Sequence, residues 1–200
     1  TPTSSVAFGD IDNDGDNDFM VAAANPSRLL WLEQENGSTI VEHVIVNDDL
    51  LRYDVDIADF DNDGDIDLCW RIRVGFGQDR FGWTENIDAG EAFVDHQLMT
   101  DPGPLIGRGV EIKPADLDDD GLVDMVVAFT TQTEGRMQWL RNIGGSPPQF
   151  EAITIDSGAD MFPGGVTVID MNGDGDLDVV GGWEDETVYW LENPGAHSTS

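Results

Sequence analysis

The sequence predicts an all-β fold built from four similar repeats. Short segments rich in β-branched and aromatic residues, bounded by Gly, Asn, Asp or Pro, follow one another along the chain, and such segments are typical of strands. An acidic nine-residue motif recurs four times, beginning at Asp10, Asp59, Asp116 and Asp170. These starts lie 49, 57 and 54 residues apart. Four periods of about fifty residues therefore fill the 200-residue chain.

Each repeat contains predicted strands in the same order. In the second repeat the first strand, residues 55–58, precedes the acidic motif, and the second strand, residues 68–74, follows it. A third segment carries an aligned tryptophan, and a fourth, residues 93–99, ends the repeat. The aligned tryptophans are Trp31, Trp83, Trp139 and Trp190. Four strands per period near fifty residues predict a β-propeller, or a propeller segment, with four blades of antiparallel strands and Asp-rich loops.

The repeats predict a single array over residues 1–200, with blades at approximately 6–50, 54–104, 109–160 and 165–195. The last blade is expected to lack its fourth strand, because only five residues follow Gly195. Two arrangements remain open. Four blades close with one incomplete edge, or the chain is part of a ring that other segments or chains complete.

Composition excludes several classes of partner. Nine Lys and Arg residues stand against 41 Asp and Glu residues, a formal charge of −32, which opposes binding to nucleic acid or to an anionic membrane. No apolar run approaches the roughly 18 residues of a membrane span. The single cysteine, Cys69, excludes a disulfide within the chain, and its apolar neighbours predict a buried thiol.

The acidic motifs predict metal binding. Two carboxylates ~4 Å apart repel by ~4 kcal/mol at an effective dielectric constant near 20, so such crowding requires a divalent cation. Positions 1, 3, 5 and 9 supply side-chain oxygens, position 7 supplies its backbone carbonyl, and the glycine at position 6 permits a sharp turn. The predicted ligands are Asp10, Asp12, Asp14, Asp16 and Asp18; Asp59, Asp61, Asp63, Asp65 and Asp67; Asp116, Asp118, Asp120, Leu122 and Asp124; and Asp170, Asn172, Asp174, Asp176 and Asp178.

This oxygen-rich set favours Ca²⁺ over Mg²⁺, with about four ions per chain, one for each repeat. Position 7 is variable, and includes Leu122, as expected for a residue that uses only its carbonyl. We therefore expect Asp63→Ala to destabilise the chain more than Asp65→Ala. An EF-hand is excluded, because position 12 is Val21, Trp70, Val127 or Gly181 rather than Glu.

Residues 59–67 followed by Leu68, together with the run Trp190-Leu191-Glu192-Asn193-Pro194-Gly195, resemble the FG-GAP/VCBS repeat family. The resemblance covers essentially the whole chain. It implies an extracellular β-propeller, usually of seven blades, with calcium loops between the first and second strands of each blade, as in integrin α-chain heads and certain fungal lectins. Members range from adhesion modules to lectins and accessory domains of carbohydrate-active enzymes.

Three functions are weighed. The first is a non-catalytic binding, adhesion or assembly module, extracellular or at the cell surface, whose partners are other propeller segments, protein chains or an extracellular glycan. The second is a carbohydrate-binding lectin, and the third is the propeller part of a polysaccharide-processing enzyme. We expect no catalysis by this chain, because the sequence shows neither a Ser/His/Asp order nor a zinc-binding histidine pair.

The sequence also suggests roles for a few further residues in ligand binding, packing and glycosylation. The blade face opposite the calcium loops is expected to bind a ligand through Arg80 and Arg108, with Phe76 or Trp70 as an apolar platform. The recurring tryptophans are expected to pack between blades. Asn36 begins an Asn-Gly-Ser sequon, which is read either as an N-glycosylation site or as an ordinary hairpin turn.

Overall fold

A computed structural model describes residues 3–24, 26–48, 50–74, 78–100, 111–130, 134–158, 163–183 and 188–195. All regular secondary structure in these ranges is β-strand, which confirms the predicted all-β class. The chain divides into two compact units, Thr1–Pro104 and Leu105–Ser200. The described residues contain no helix of the length and apolarity that a membrane span requires.

The first unit contains two four-stranded antiparallel sheets. The first sheet consists of β1 (Thr3–Gly9), β2 (Asp18–Ala24), β3 (Ser27–Glu35) and β4 (Thr39–Val46). The second consists of β5 (Leu51–Ala58), β6 (Asp67–Val74), β7 (Gln78–Ile87) and β8 (Ala92–Thr100). Strands that are consecutive in sequence are neighbours in each sheet, as short hairpin connections dictate.

The second unit repeats this pattern. One sheet consists of β9 (Glu111–Ala115), β10 (Asp124–Thr130), β11 (Gly135–Gly145) and β12 (Pro148–Gly158). The other consists of β13 (Pro163–Ile169), β14 (Asp178–Trp183) and β15 (Val188–Leu191). Within the described residues this last sheet has three strands.

Each acidic motif forms the connection between the first and second strands of its sheet. We call residues 10–18, 59–67, 116–124 and 170–178 the first to fourth acidic loops, and number their positions 1 to 9. The residue before each loop pairs with the aspartate at position 9. These pairs are Gly9 with Asp18, Ala58 with Asp67, Ala115 with Asp124 and Ile169 with Asp178. The loop therefore closes a hairpin, and position 9 opens the second strand.

The core of the first unit lies between its two sheets. Met20 and Trp31 of the first sheet pack in one cluster with Leu68 and Trp70 of the second. The first strands of the two sheets are also in contact, and the Ser5 hydroxyl donates to the Val55 carbonyl at 3.2 Å. Burial of large apolar side chains stabilises this arrangement by roughly 1.5–3 kcal/mol for each residue.

The second unit has an equivalent core. Val126 and Met137 of the first sheet pack with Val166 and Val179 of the second. All seven residues of β10 are buried, as expected for a strand that is covered on both faces. The backbone of Gly181 lies against Met137, because an added Cβ would overlap the terminal methyl of Met137 and that side chain would have to move. The sheets therefore approach closely enough for side chains of one to contact the backbone of the other.

Two neighbouring side chains of β6, Cys69 and Trp70, are buried. The Cys69 thiol is buried, as predicted. Trp70 is 3% exposed, and its Nε1 donates to the Thr84 hydroxyl at 2.9 Å. The prediction of Trp70 as an apolar ligand platform is therefore wrong, because its ring belongs to the core of the first unit.

Candidate metal centre

The four acidic loops share one pattern of hydrogen bonds. In each loop the backbone N–H of the glycine at position 6 donates to the aspartate at position 1. The pairs are Gly15 with Asp10, Gly64 with Asp59, Gly121 with Asp116 and Gly175 with Asp170, at 2.9–3.0 Å. The N–H at position 7 donates to the side chain at position 5 at 2.8–3.0 Å. These bonds wrap each loop around the side chains at its odd positions.

Backbone conformation explains two sequence positions in the loops. The position 6 glycines have φ between 86° and 99°, which only glycine adopts without strain. Position 4 also has a positive φ in the first three loops, at Asn13, Asn62 and Asp119, and Asn and Asp tolerate this region best among non-glycine residues. Position 4 carried no prediction, although its restriction to Asn, Asp or Gly in the four loops is the signal for this conformation.

Carboxylates converge in three of the loops. The groups are Asp10, Asp12 and Asp14; Asp59, Asp61 and Asp67; and Asp116, Asp118 and Asp124, and in each group the candidate ligand oxygens lie within 4.8 Å of one another. Oδ1 of Asp10 and Oδ1 of Asp118 are inaccessible to solvent and accept no hydrogen bond. Buried carboxylate oxygens need a partner, so these sites fit a hard cation with oxygen ligands.

The pKa values of the loop carboxyls show the cost of burying these groups and, to a smaller extent, of crowding them. Burial raises the pKa of Asp67 to about 8, although backbone N–H groups of Asn86 and Phe60 oppose the rise. Burial likewise raises the pKa of Asp124 to about 6. Burial and the neighbouring charge of Asp63 raise the pKa of Asp61. A bound cation would reverse these shifts, because it stabilises the ionised form.

The aspartate at position 9 ties each loop to the rest of its repeat. Its Oδ2 accepts the N–H of position 2, and its Oδ1 accepts the N–H three residues after the aligned tryptophan. In the second repeat these donors are Phe60 at 2.9 Å and Asn86 at 2.8 Å. For Asp178 burial raises the pKa, but the donors Asn193 and Met171 outweigh it, and the pKa lies below its usual range.

The fourth loop differs from the others. Position 3 is Asn172, whose amide donates to Asp174 Oδ2 at 2.7 Å, and whose Oδ1 accepts the N–H of Asp174 at 2.9 Å. Among the described residues this loop forms no cluster of three converging carboxylates. It offers fewer charged ligands than the other three.

An asparagine that the sequence analysis did not single out links neighbouring repeats. The fully buried Asn86 donates from Nδ2 to the carbonyl of Ile11, in the first loop, at 2.8 Å and to that of Ile66 at 3.1 Å. Its Oδ1 accepts the N–H of Gly90 at 2.7 Å. In the second unit Asn193 likewise donates to the Leu117 carbonyl, in the third loop, at 2.7 Å. In the second and fourth repeats the third residue after the tryptophan therefore holds the previous repeat's loop.

The first unit also contains two matching groups of tryptophan, histidine and glutamate. His43 stacks on Trp31 with ring centroids 4.4 Å apart, and its Nε2 lies 2.5 Å from Glu33. The second repeat has the same arrangement, in Trp83, His96 and Glu85, with an Nε2 to Oε2 distance of 2.7 Å. Trp31 also meets Phe93 of the second sheet edge to face, as expected for a tryptophan that packs between sheets.

The structure revises several sequence predictions. Arg80 lies half-buried within β7 rather than in a hairpin, while Phe76 and Arg108 lie outside the described residues. Asp65 uses its side chain: it accepts the Asn13 amide at 2.7 Å and the N–H of Ala89 at 2.9 Å. The expectation that Asp65→Ala has little effect overlooked these two bonds.

The sequon at Asn36 lies in a tight hairpin turn. Asn36 and Gly37 have φ of 53° and 71°, the conformation of a type I′ turn, and the N–H of Ser38 donates to the carbonyl of Glu35 at 3.3 Å. Asn36 is exposed. The hairpin interpretation therefore holds, and glycosylation of Asn36 remains a prediction.

The second unit has a cavity of about 600 Å³ beside the third loop. Its walls include Trp139 of β11, Trp190 of β15, and the polar residues Asp118, Glu192 and Asn193. Trp190 is 46% exposed. The aligned tryptophan of the fourth repeat therefore does not share the buried packing of Trp31 and Trp83.

Comparison with known proteins adds one finding. The family model described as FG-GAP-like repeat matches residues 10–70 and 116–181, more than half of the chain. Each match begins at position 1 of one acidic loop and ends in the strand after the next loop, within a single compact unit. No curated protein matches the sequence.

Proposed function

Because the chain belongs to the family of FG-GAP-like repeats, we propose that it is a calcium-binding extracellular β-propeller, or propeller segment, that acts as a non-catalytic binding, adhesion or assembly module. The observation that carries the proposal is the convergence of carboxylates in three equivalent loops. Each loop uses the same backbone turn and the same internal hydrogen bonds, which is expected of a repeated ion-binding device.

The ligands would come from positions 1, 3, 5 and 9 of each loop, with the carbonyl of position 7. When bound, Ca²⁺ supplies positive charge that neutralises these carboxylates. The aspartate at position 9 then has two roles. Asp67, for example, belongs to the converging cluster and also holds the N–H of Asn86. Metal binding is thereby coupled to the packing of the strands, so its role is structural.

The packing within each unit supports a propeller arrangement. In the first unit β1 lies against β5, and in the second β9 lies against β13, where the Val166 N–H donates to Glu111 at 2.6 Å. First strands of successive sheets are therefore neighbours. Radially arranged blades with the first strand innermost have this feature.

Location and activity follow from the proposed ion. Sites built from flexible acidic loops fill at extracellular calcium concentrations, which favours an extracellular or cell-surface protein. We propose binding rather than catalysis, because the converging carboxylates are occupied in holding an ion and in tying strands together. The partners proposed are other propeller segments or protein chains, or an extracellular glycan.

A calcium titration tests the central part of this proposal. Isothermal titration calorimetry of the full chain, stripped of metal, should show binding that approaches about four ions at millimolar calcium. Asp61→Ala should remove one of the tighter sites. Glu42→Gln is the matched control, since it removes one exposed carboxylate outside the loops, and it should leave the stoichiometry unchanged. Absence of binding in the wild-type chain would overturn the proposal.

Carbohydrate binding is a second candidate, favoured by the cavity beside the third loop. Two tryptophan rings, Trp139 and Trp190, line it together with polar side chains, and sugars bind through this combination of aromatic faces and hydrogen-bonding groups. A glycan array with the isolated chain tests the idea. Trp190→Ala should abolish any binding that is found, and retained binding would exclude this cavity.

A further inference from the structure

The residue two positions after the aligned tryptophan differs in charge among the repeats. It is negative in the first, second and fourth repeats and positive in the third, the four residues being Glu33, Glu85, Glu192 and Arg141. Burial raises the pKa of Asp12, and the charge of Glu33 adds to that rise. Glu85 acts in the same way on Asp61. In the first and second repeats, therefore, this carboxylate adds negative charge beside the acidic loop. In the fourth repeat Glu192 lies next to its loop, 3.4 Å from the Asn172 amide.

The third loop instead contacts a cation. Nη2 of Arg141 lies 2.6 Å from Oδ2 of Asp118, at position 3, and 3.6 Å from Oδ2 of Asp120, at position 5. The guanidinium group also lies over the Trp139 ring, 5.7 Å from its centroid. An aromatic face stabilises a cation at this distance. Arg141 is therefore held in place by the loop carboxylates on one side and by the Trp139 ring on the other.

The fourth strands of the repeats differ in a matching way. In the first two repeats a histidine lies opposite the tryptophan, in the pairs Trp31 with His43 and Trp83 with His96, and this histidine holds the glutamate. In the third repeat Ile153 lies opposite Trp139. A glutamate at position 141 would have no histidine partner on that strand. In the third repeat, therefore, arginine stands in place of the glutamate and isoleucine stands in place of its histidine partner.

We propose that Arg141 is a built-in cation of the third acidic loop, which keeps this loop folded without a metal ion and lowers its affinity for Ca²⁺ below that of the first and second loops. The affinity part rests on the proposed calcium function, whereas the stability part does not. Asp118 keeps a second oxygen, Oδ1, that is buried and accepts no hydrogen bond. The loop can therefore still take an ion when calcium is high.

The expected size of the effect follows from charge alone. One unit charge in contact with a divalent site changes affinity by about tenfold even at the dielectric constant of water. The third loop should therefore bind calcium at least about tenfold more weakly than the first two. As calcium falls, the first two loops should keep their ions longest, while the third repeat stays folded through Arg141.

The first experiment needs no calcium. Thermal unfolding of the full chain in excess chelator is compared for the wild type, Arg141→Gln and Arg136→Gln. Arg136 lies on the same strand and pairs with Glu134 at 2.5 Å, outside the loop. Arg141→Gln should lower the unfolding midpoint by several degrees more than Arg136→Gln. Equal midpoints for the two variants would overturn the stability part.

The second experiment resolves the loops individually. The position 6 amides Gly15, Gly64 and Gly121 each donate to the aspartate at position 1, so their NMR signals should shift when calcium enters. In the wild type, Gly121 should respond at about tenfold or more higher calcium than the other two. Arg141→Glu should move the Gly121 midpoint down to theirs, and Glu85→Arg should raise the midpoint of Gly64.

The outcomes separate this inference from the proposed function. If the signals of all three loops shift at the same calcium concentration and Arg141→Glu leaves Gly121 unchanged, the affinity part is wrong although the chain binds calcium. If no glycine signal responds to millimolar calcium, both the proposed function and the affinity part are wrong. The chelator experiment then still decides whether Arg141 stabilises the third loop.

Discussion

Asn86→Ala should destabilise the first unit strongly. The side chain is fully buried and makes three hydrogen bonds, two donated to the carbonyls of Ile11 and Ile66 and one accepted from the N–H of Gly90. Each buried bond contributes about 1 kcal/mol net, and a buried partner left unsatisfied costs about 1–3 kcal/mol. The free energy of unfolding should therefore fall by about 3–5 kcal/mol, a large part of the roughly 5–15 kcal/mol of a typical domain.

Urea unfolding in saturating calcium, followed by tryptophan fluorescence, measures this loss. Gln34→Ala is the matched control, because Gln34 occupies the same place after the tryptophan in the first repeat but is only half-buried. It should cost less than about 1 kcal/mol, as most substitutions outside buried networks do. A loss for Asn86→Ala no greater than that of Gln34→Ala would refute the reasoning that this asparagine links the repeats.

Three further predictions concern the loops. Asp14→Ala should weaken calcium binding to the first loop more than Asp16→Ala, measured by calorimetry, because position 5 offers its carboxylate and position 7 its carbonyl; equal effects would contradict the ligand assignment. Gly64→Ala should lower the unfolding temperature, because φ at this residue is 99°, and an unchanged temperature would show that the turn relaxes. In calcium-free protein, urea unfolding should show stability falling as pH rises from about 4 to 8, since the raised folded-state pKa values of Asp67 and Asp124, about 8 and about 6, mean that the folded chain binds more protons than the unfolded chain. Saturating calcium should remove this fall, and a pH profile that is the same with and without calcium would contradict it.

Local pattern was sufficient to predict the strands and the loops. The short alternating segment before each motif and the apolar run after it became the first and second strands of each sheet, with the motif as their connection. The glycine at position 6 was predicted from the need for a sharp turn and has the positive φ that such a turn requires. These features depend on residues that are neighbours in sequence, so the sequence contains their signal directly.

Contacts between strands were harder to predict. His96 meets Trp83 and Glu85 only because β7 and β8 pair in one register, and this register shifts between Phe81 and Gly82. Likewise, Trp70 was proposed as an exposed platform because it breaks the pattern of aligned tryptophans. Residues 67–72 of β6 are all buried, so alternation along the strand cannot separate an exposed side chain from a buried one.

The contact between Arg141 and the third loop shows the same limit. Alignment of the repeats reveals that arginine replaces glutamate two residues after Trp139. The effect on the loop becomes clear only when Asp118 is placed 2.6 Å from the guanidinium group. Composition alone would assign this arginine to the solvated surface.

Thermal unfolding of the wild-type chain in millimolar calcium and in excess chelator tests the central claim most directly. A site at a hundredfold excess of calcium over its Kd contributes about 2.7 kcal/mol to stability. Two such sites should raise the unfolding midpoint by about 10 °C or more in a chain of this size, where 1 kcal/mol corresponds to about 2–4 °C. Equal midpoints in calcium and in chelator would contradict the account of the acidic loops as calcium sites that stabilise the fold.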